Sequence, residues 1–170
     1  MRKLKLFLSV FLLASFLASA LSFAFPTQAF ALGEANAAGE ALTKAFKAEQ
    51  RWLSNQAQAI TKADQAAAEI QQLIEKASAE GLDVTLLQEA LAVFNGAMAA
   101  VRAEHQRASD ILAAHNGFDA EGNVIDQQPA RVTVLDAKQA LWKAHVTLSQ
   151  AARNLHQAAR EWRQVTFPQE

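Results

Sequence analysis

Between Leu42 and His115 the chain carries two runs of seam positions spaced alternately by four and three, one on each side of a short stretch containing Gly81. The first run is Leu42, Phe46, Glu49, Leu53, Gln56, Ile60, Ala63, Ala67, Ile70, Ile74 and Ala77. The second is Leu87, Leu91, Phe94, Met98, Val101, His105, Ala108, Leu112 and His115. A 3.5-residue period is the signature of helices that bury a narrow stripe against a neighbour, so the stretch reads as a helical hairpin with coiled-coil-like packing. Gly81 suits the left-handed residue that ends a helix, with Leu82 as the apolar residue after it. Thr85 and Gln88 read as an N-cap and its third-position partner. So short a turn makes the arms antiparallel, and one register serves both: Ala77 faces Leu87, Ile74 faces Leu91, Ile70 faces Phe94, Ala67 faces Met98, and Leu53 faces Leu112.

The same register sets Glu49 level with His115, Gln56 with Ala108 and Ile60 with His105. Glu49 and His115 are therefore a candidate polar seam pair. Its functional reading is a pH-sensitive or metal-linked contact, and its plain reading is a solvated ion pair that adds little to stability. His105 reads as a hydrogen-bonded residue at the rim of the core.

Composition agrees with long helices. Half of the 170 residues are apolar, Tyr is absent, and there are only 6 Gly and 3 Pro. The length suits one domain. Cysteine is absent, which excludes disulfides, thiol catalysis and thiolate metal sites.

Residues 1–31 have the order of a secretory signal: Arg2, Lys3 and Lys5, an apolar run from Leu6 to Phe25, then Pro26 and a polar stretch ending in Ala29-Phe30-Ala31. Cleavage is expected after Ala31, with Ala18-Ser19-Ala20 as the second choice. Left uncleaved, the segment from Leu4 to Phe25 is long enough to span a bilayer, the one route by which a membrane enters this reading. In either case the basic start stays inside, which places the rest extracytoplasmically: periplasmic, cell-surface or secreted. Without those three cations, 13 Lys plus Arg stand against 17 Asp plus Glu, and nothing points to a nucleic-acid partner.

Residues 32–39 read as a flexible lead-in, and helices are expected at about 40–80, 86–115 and 127–165, closing a bundle over 40–166 with a tail at 167–170. Between the last two helices, residues 116–128 break the period. Asp119-Ala120-Glu121-Gly122-Asn123 has the spacing of a calcium loop, but aligning Gly122 with the loop glycine leaves Gly117 and Gln128 at the two most important ligand positions. A tight turn with Gly122 at positive φ fits better, its flanks Phe118 and Val124-Ile125 folding back over the helices.

Asp126 caps the third helix, with Pro129 in its first turn. Its seam places Val134, Leu141, Leu148, Leu155 and Trp162 seven apart, with Ala137, Ala144, Ala151 and Ala158 between them. Large residues alternating with alanine permit close approach on two sides, so the expected fold is all-α, an antiparallel three-helix bundle behind a signal peptide. Lys143, Arg153, His156, Arg160 and Arg163 form a candidate interaction strip on the last helix for an acidic partner, a lipid headgroup or a wall polymer. The plainer reading is a solvated face with cations at the negative end of a helix.

No serine, histidine and acid grouping, phosphate loop, HExxH or Glu-x-x-His pair is present, so no catalytic residue, cofactor, metal or small-molecule substrate is expected. Val84-Thr85-Leu86-Leu87-Gln88 and Val146-Thr147-Leu148-Ser149-Gln150 resemble the Leu-Thr-x-x-Gln motif of periplasmic stress chaperones of the Spy and CpxP kind, with Val for its Leu. The resemblance covers ten residues and implies a holdase for unfolded envelope proteins. The leading expectation is a non-enzymatic structural or protein-interaction module, acting through an unidentified protein partner or self-association, with the holdase as the alternative.

Overall fold

The computed structural model describes residues 35–167, where the backbone forms three helices and no strand: α1 (Ala35–Ala79), α2 (Thr85–Ala114) and α3 (Gln127–Thr166). The signal segment, its cleavage point and residues 168–170 of the expected tail lie outside the described residues. α1 begins at Ala35, earlier than the Glu40 start expected from the seam. Ala35, Ala37 and Ala38 are strong helix formers, and Gly39 costs a helix only about 1 kcal/mol relative to alanine.

The turn after α1 is built as its glycine implies. Gly81 has φ 75°, its N–H donates to Ser78 O at 2.9 Å, and the Leu82 N–H donates to Ala77 O at 3.0 Å. This is the paired bonding of a Schellman motif, which satisfies two carbonyls that the helix end would otherwise orphan. The cap of α2 differs from expectation. Thr85 is already helical, and its N–H donates to Asp83 Oδ1 at 2.9 Å. A carboxylate reaching two residues forward takes the role read for the threonine hydroxyl, and that bond holds Asp83 below the usual carboxylate range.

The chain divides into two compact units, each containing a piece of every helix. The turn unit comprises residues 59–99 and 147–167. Its core is made by Ile70, Ile74, Leu87, Phe94, Met98, Leu148 and Leu155. Trp162 is also buried there, its indole N–H donating to Asp83 O at 2.7 Å. One seam position shifts: Ala66 is buried whereas Ala67 is half-buried, as a helix of 3.6 residues per turn drifts off a strict heptad.

The loop unit comprises residues 35–58 and 100–146. Leu42, Phe46, Leu112, Phe118, Ala130, Val134 and Ala137 form one buried cluster, and Ala108, Ala140 and Leu141 pack with Trp52 and Leu53. Phe46 stacks on Phe118 with ring centroids 4.1 Å apart. Asp126 caps α3 as expected, accepting the Gln128 N–H at 3.1 Å, and the Thr133 hydroxyl donates to Asn116 O at 2.8 Å.

Phe118 and Val124 make an isolated antiparallel bridge around Gly122, which has φ 78°. Ile125, expected to fold back with them, is 71% exposed. Its N–H donates to Gly117 O at 2.9 Å while its side chain is left in solvent. Gly117 has φ 85°, and a Cβ on it would lie 2.2 Å from Ala130 N, so only glycine fits.

Candidate functional site

Gln56, His105 and the Leu141 carbonyl join the three helical segments of the loop unit. Gln56 on α1 is 3% exposed, and a buried amide needs partners on both of its ends. Its Nε2 donates to Leu141 O of α3 at 2.9 Å, and its Oε1 lies 3.0 Å from His105 Nδ1 of α2. His105 thus finds its polar partner in Gln56, as a residue at the rim of the core requires. Burial holds the His105 imidazole below its ordinary pKa.

Glu49 is 8% exposed, and its Oε2 has no hydrogen-bond partner. Burial pushes its pKa up to about 7, against the opposing pull of the Lys138 cation. It does not pair with His115, for which the sequence had cast it. α2 ends at Ala114, and His115 takes φ 52°, so it is no longer on a helical seam. The His115 ring meets the Phe46 ring edge-on at 5.2 Å, and its Nδ1 lies 2.9 Å from Ala113 O.

The raised Glu49 pKa has a definite sign in stability. The folded state favours the neutral acid, so this contribution is complete below 4.5, the ordinary value, and is lost as pH rises through about 7. His105 acts in the opposite sense, its contribution present above 6.5 and lost as pH falls through its lowered folded value. Glu49→Gln isolates the carboxyl, because His105 is common to both proteins. At about pH 8 the variant should be more stable than the parent by roughly 1–3 kcal/mol, because the parent must hold an ionised carboxylate in a largely buried site whereas the amide carries no charge. Urea midpoints measured across pH should show this gap closing as pH falls toward 4.5.

The expected basic strip is divided. Lys143 belongs to the loop unit, where its ammonium pairs with the Glu104 carboxylate. Arg153, His156, Arg160 and Arg163 belong to the turn unit and follow one another by three and four along α3, which places them on one face. Arg153 also donates to Gln150 Oε1 at 2.9 Å. In the loop between α2 and α3 the Asp119 carboxylate faces its own turn, accepting the N–H groups of Glu121 at 3.0 Å and Asn123 at 2.7 Å, with the Asn123 side-chain amide at 3.1 Å. Those donors hold it below the usual carboxylate range and occupy oxygens that a cation would need. Among the described residues no three His, Cys, Asp or Glu side chains are placed to hold a metal ion.

The sequence reading missed a surface on α3. Val132, Leu135, Trp142 and Val146 are 49%, 50%, 52% and 42% exposed. At 100° per residue they and Gln139 fall within about 80° of arc, facing away from the buried Val134, Ala137, Leu141 and Ala144. The signal was present in the spacing, since positions 132, 135, 139, 142 and 146 follow the same alternation of three and four as the inner seam. It was masked because a helix read as closing a bundle already has its apolar face assigned. Scans against models of known protein families, against curated proteins and against solved structures find no match.

Proposed function

We propose that this chain is an exported, non-enzymatic protein whose helices pack as an antiparallel, coiled-coil-like three-helix bundle, and that it acts as a protein-interaction module outside the cytoplasmic membrane. The outer face of α3 in the loop unit is its contact surface. The observation that carries this reading is the row Val132, Leu135, Trp142 and Val146, each about half exposed on a helix anchored by a buried opposite side. Grouped apolar side chains on a surface mark sites of association, and a half-exposed tryptophan is the residue type that most often anchors an interface. The basic, apolar, small-residue order of residues 1–31 supports export.

The test is cross-linking in intact cells that express the chain. Trp142→Glu should abolish the cross-linked species, whereas Val93→Glu, a change at a 65% exposed valine of the turn unit, should leave it. A species that survives Trp142→Glu would show that the α3 face is not the contact. Exposed apolar side chains also suit the holdase reading. That reading moves to first place if the purified protein suppresses aggregation of an unfolding client and Trp142→Glu removes the suppression.

A further inference from the structure

From the outer face of α3 we infer that the partner it fits is a second copy of this chain, docked helix against helix in antiparallel fashion about a two-fold axis near Gln139. This inference rests on the reading of that face as a contact surface and adds the identity of what covers it.

The spacing of the row is self-complementary. Turned end for end about Gln139, Val132 falls level with the partner's Val146 and Gln139 with its own counterpart, while Leu135 falls within one residue, about 1.5 Å along the axis, of the partner's Trp142. Every apolar position therefore meets an apolar position, and the one polar position meets an amide with which it can exchange hydrogen bonds. A two-fold contact requires this, because each residue must complement what the symmetry brings to it.

The flanks agree with the register. Asp136 and Lys143 border the row on one side, and the same rotation brings Asp136 within one residue of the partner's Lys143, close enough for an opposite-charge contact that the symmetry makes twice. Lys143 also pairs with Glu104 within its own chain, so it would bridge two carboxylates. On the other flank Lys138 lies nearest the axis, so its repulsion from its own counterpart opposes association. The row covers about 21 Å of helix at 1.5 Å per residue. That is short for a permanent interface, so the dimer is a concentration-dependent one.

The absence of cysteine allows a direct test. The full chain is expressed, and the mass of the purified product fixes its N-terminus. Light scattering after size exclusion should give twice the chain mass at high concentration and the chain mass on dilution. Trp142→Glu should weaken association at least tenfold, and Val93→Glu should leave it unchanged. Gln139→Cys should oxidise to a covalent dimer. Val132→Cys and Val146→Cys should each stay monomeric under oxidation, but a mixture of the two should form a cross-linked pair, because only facing sites approach within the roughly 4.4–6.8 Å that a disulfide spans. A chain that stays monomeric at every concentration and gives no Gln139→Cys dimer overturns the inference. So does a dimer indifferent to Trp142→Glu, or one in which Val132→Cys links to itself, as parallel pairing would require. A monomer that still cross-links through Trp142 in cells would refute self-association alone; loss of both would refute the contact face as well.

Discussion

Truncating Phe46 to alanine should lower the unfolding free energy by roughly 3–5 kcal/mol, the usual cost of deleting a core aromatic ring. Phe46 is fully buried, stacks on Phe118 and receives the edge of the His115 ring. A Cβ added to Gly122 would lie only 3.2 Å from its ring. One side chain of α1 is therefore the floor on which the loop after α2 is laid, and its loss removes ring contacts as well as buried area. Chemical denaturation should show a lower midpoint for Phe46→Ala, with hydrogen exchange accelerated most in residues 116–126. A variant that keeps native protection in that loop would show that the loop is held by its own turn bonds instead.

Leu148→Asp should be as damaging for a different reason. Leu148 is 5% exposed in the turn unit, in the heptad row with Leu141 and Leu155. A carboxylate there has no cation in the buried row to meet it, and an uncompensated buried charge costs roughly 3–5 kcal/mol. Acid should partly rescue the variant, because protonation removes the charge and leaves only a smaller, polar group. Thermal unfolding followed by circular dichroism should show loss of the cooperative transition near neutral pH and partial recovery at low pH. A full cooperative transition at neutral pH would mean that α3 does not pack through this row.

These two residues were legible from spacing alone, as was the glycine-capped turn, since each signal is local or strictly periodic. Gly81 announces itself because few other residues accept φ near 75° without strain. His115 was misread because a heptad can be continued on paper through a residue whose backbone has already left the helix. The cap of α2 was misread because Asp83 and Thr85 both carry capping side chains, and only the backbone path decides which one reaches an N–H. The exposed row on α3 is the deeper case. Rows 134, 141, 148 and 132, 135, 139, 142 obey compatible spacings on one helix, and periodicity says that a stripe exists without saying what lies against it. The environment of Glu49 was invisible for the same reason, because its unpaired oxygen is a property of neighbours from other helices.

Each unit is assembled from stretches far apart in sequence, residues 59–99 with 147–167 in one and 35–58 with 100–146 in the other. When such a chain is delivered N-terminus first, α1 and α2 emerge before α3. During that interval neither unit has all of its core, and the inner rows that end as buried side chains are open to solvent. Closure waits on the final stretch of synthesis, and contacts of such long sequence separation form late. A ribosome stalled before α3 would leave a chain whose inner apolar rows lack the residues that cover them, the kind of exposed surface on which incomplete chains associate.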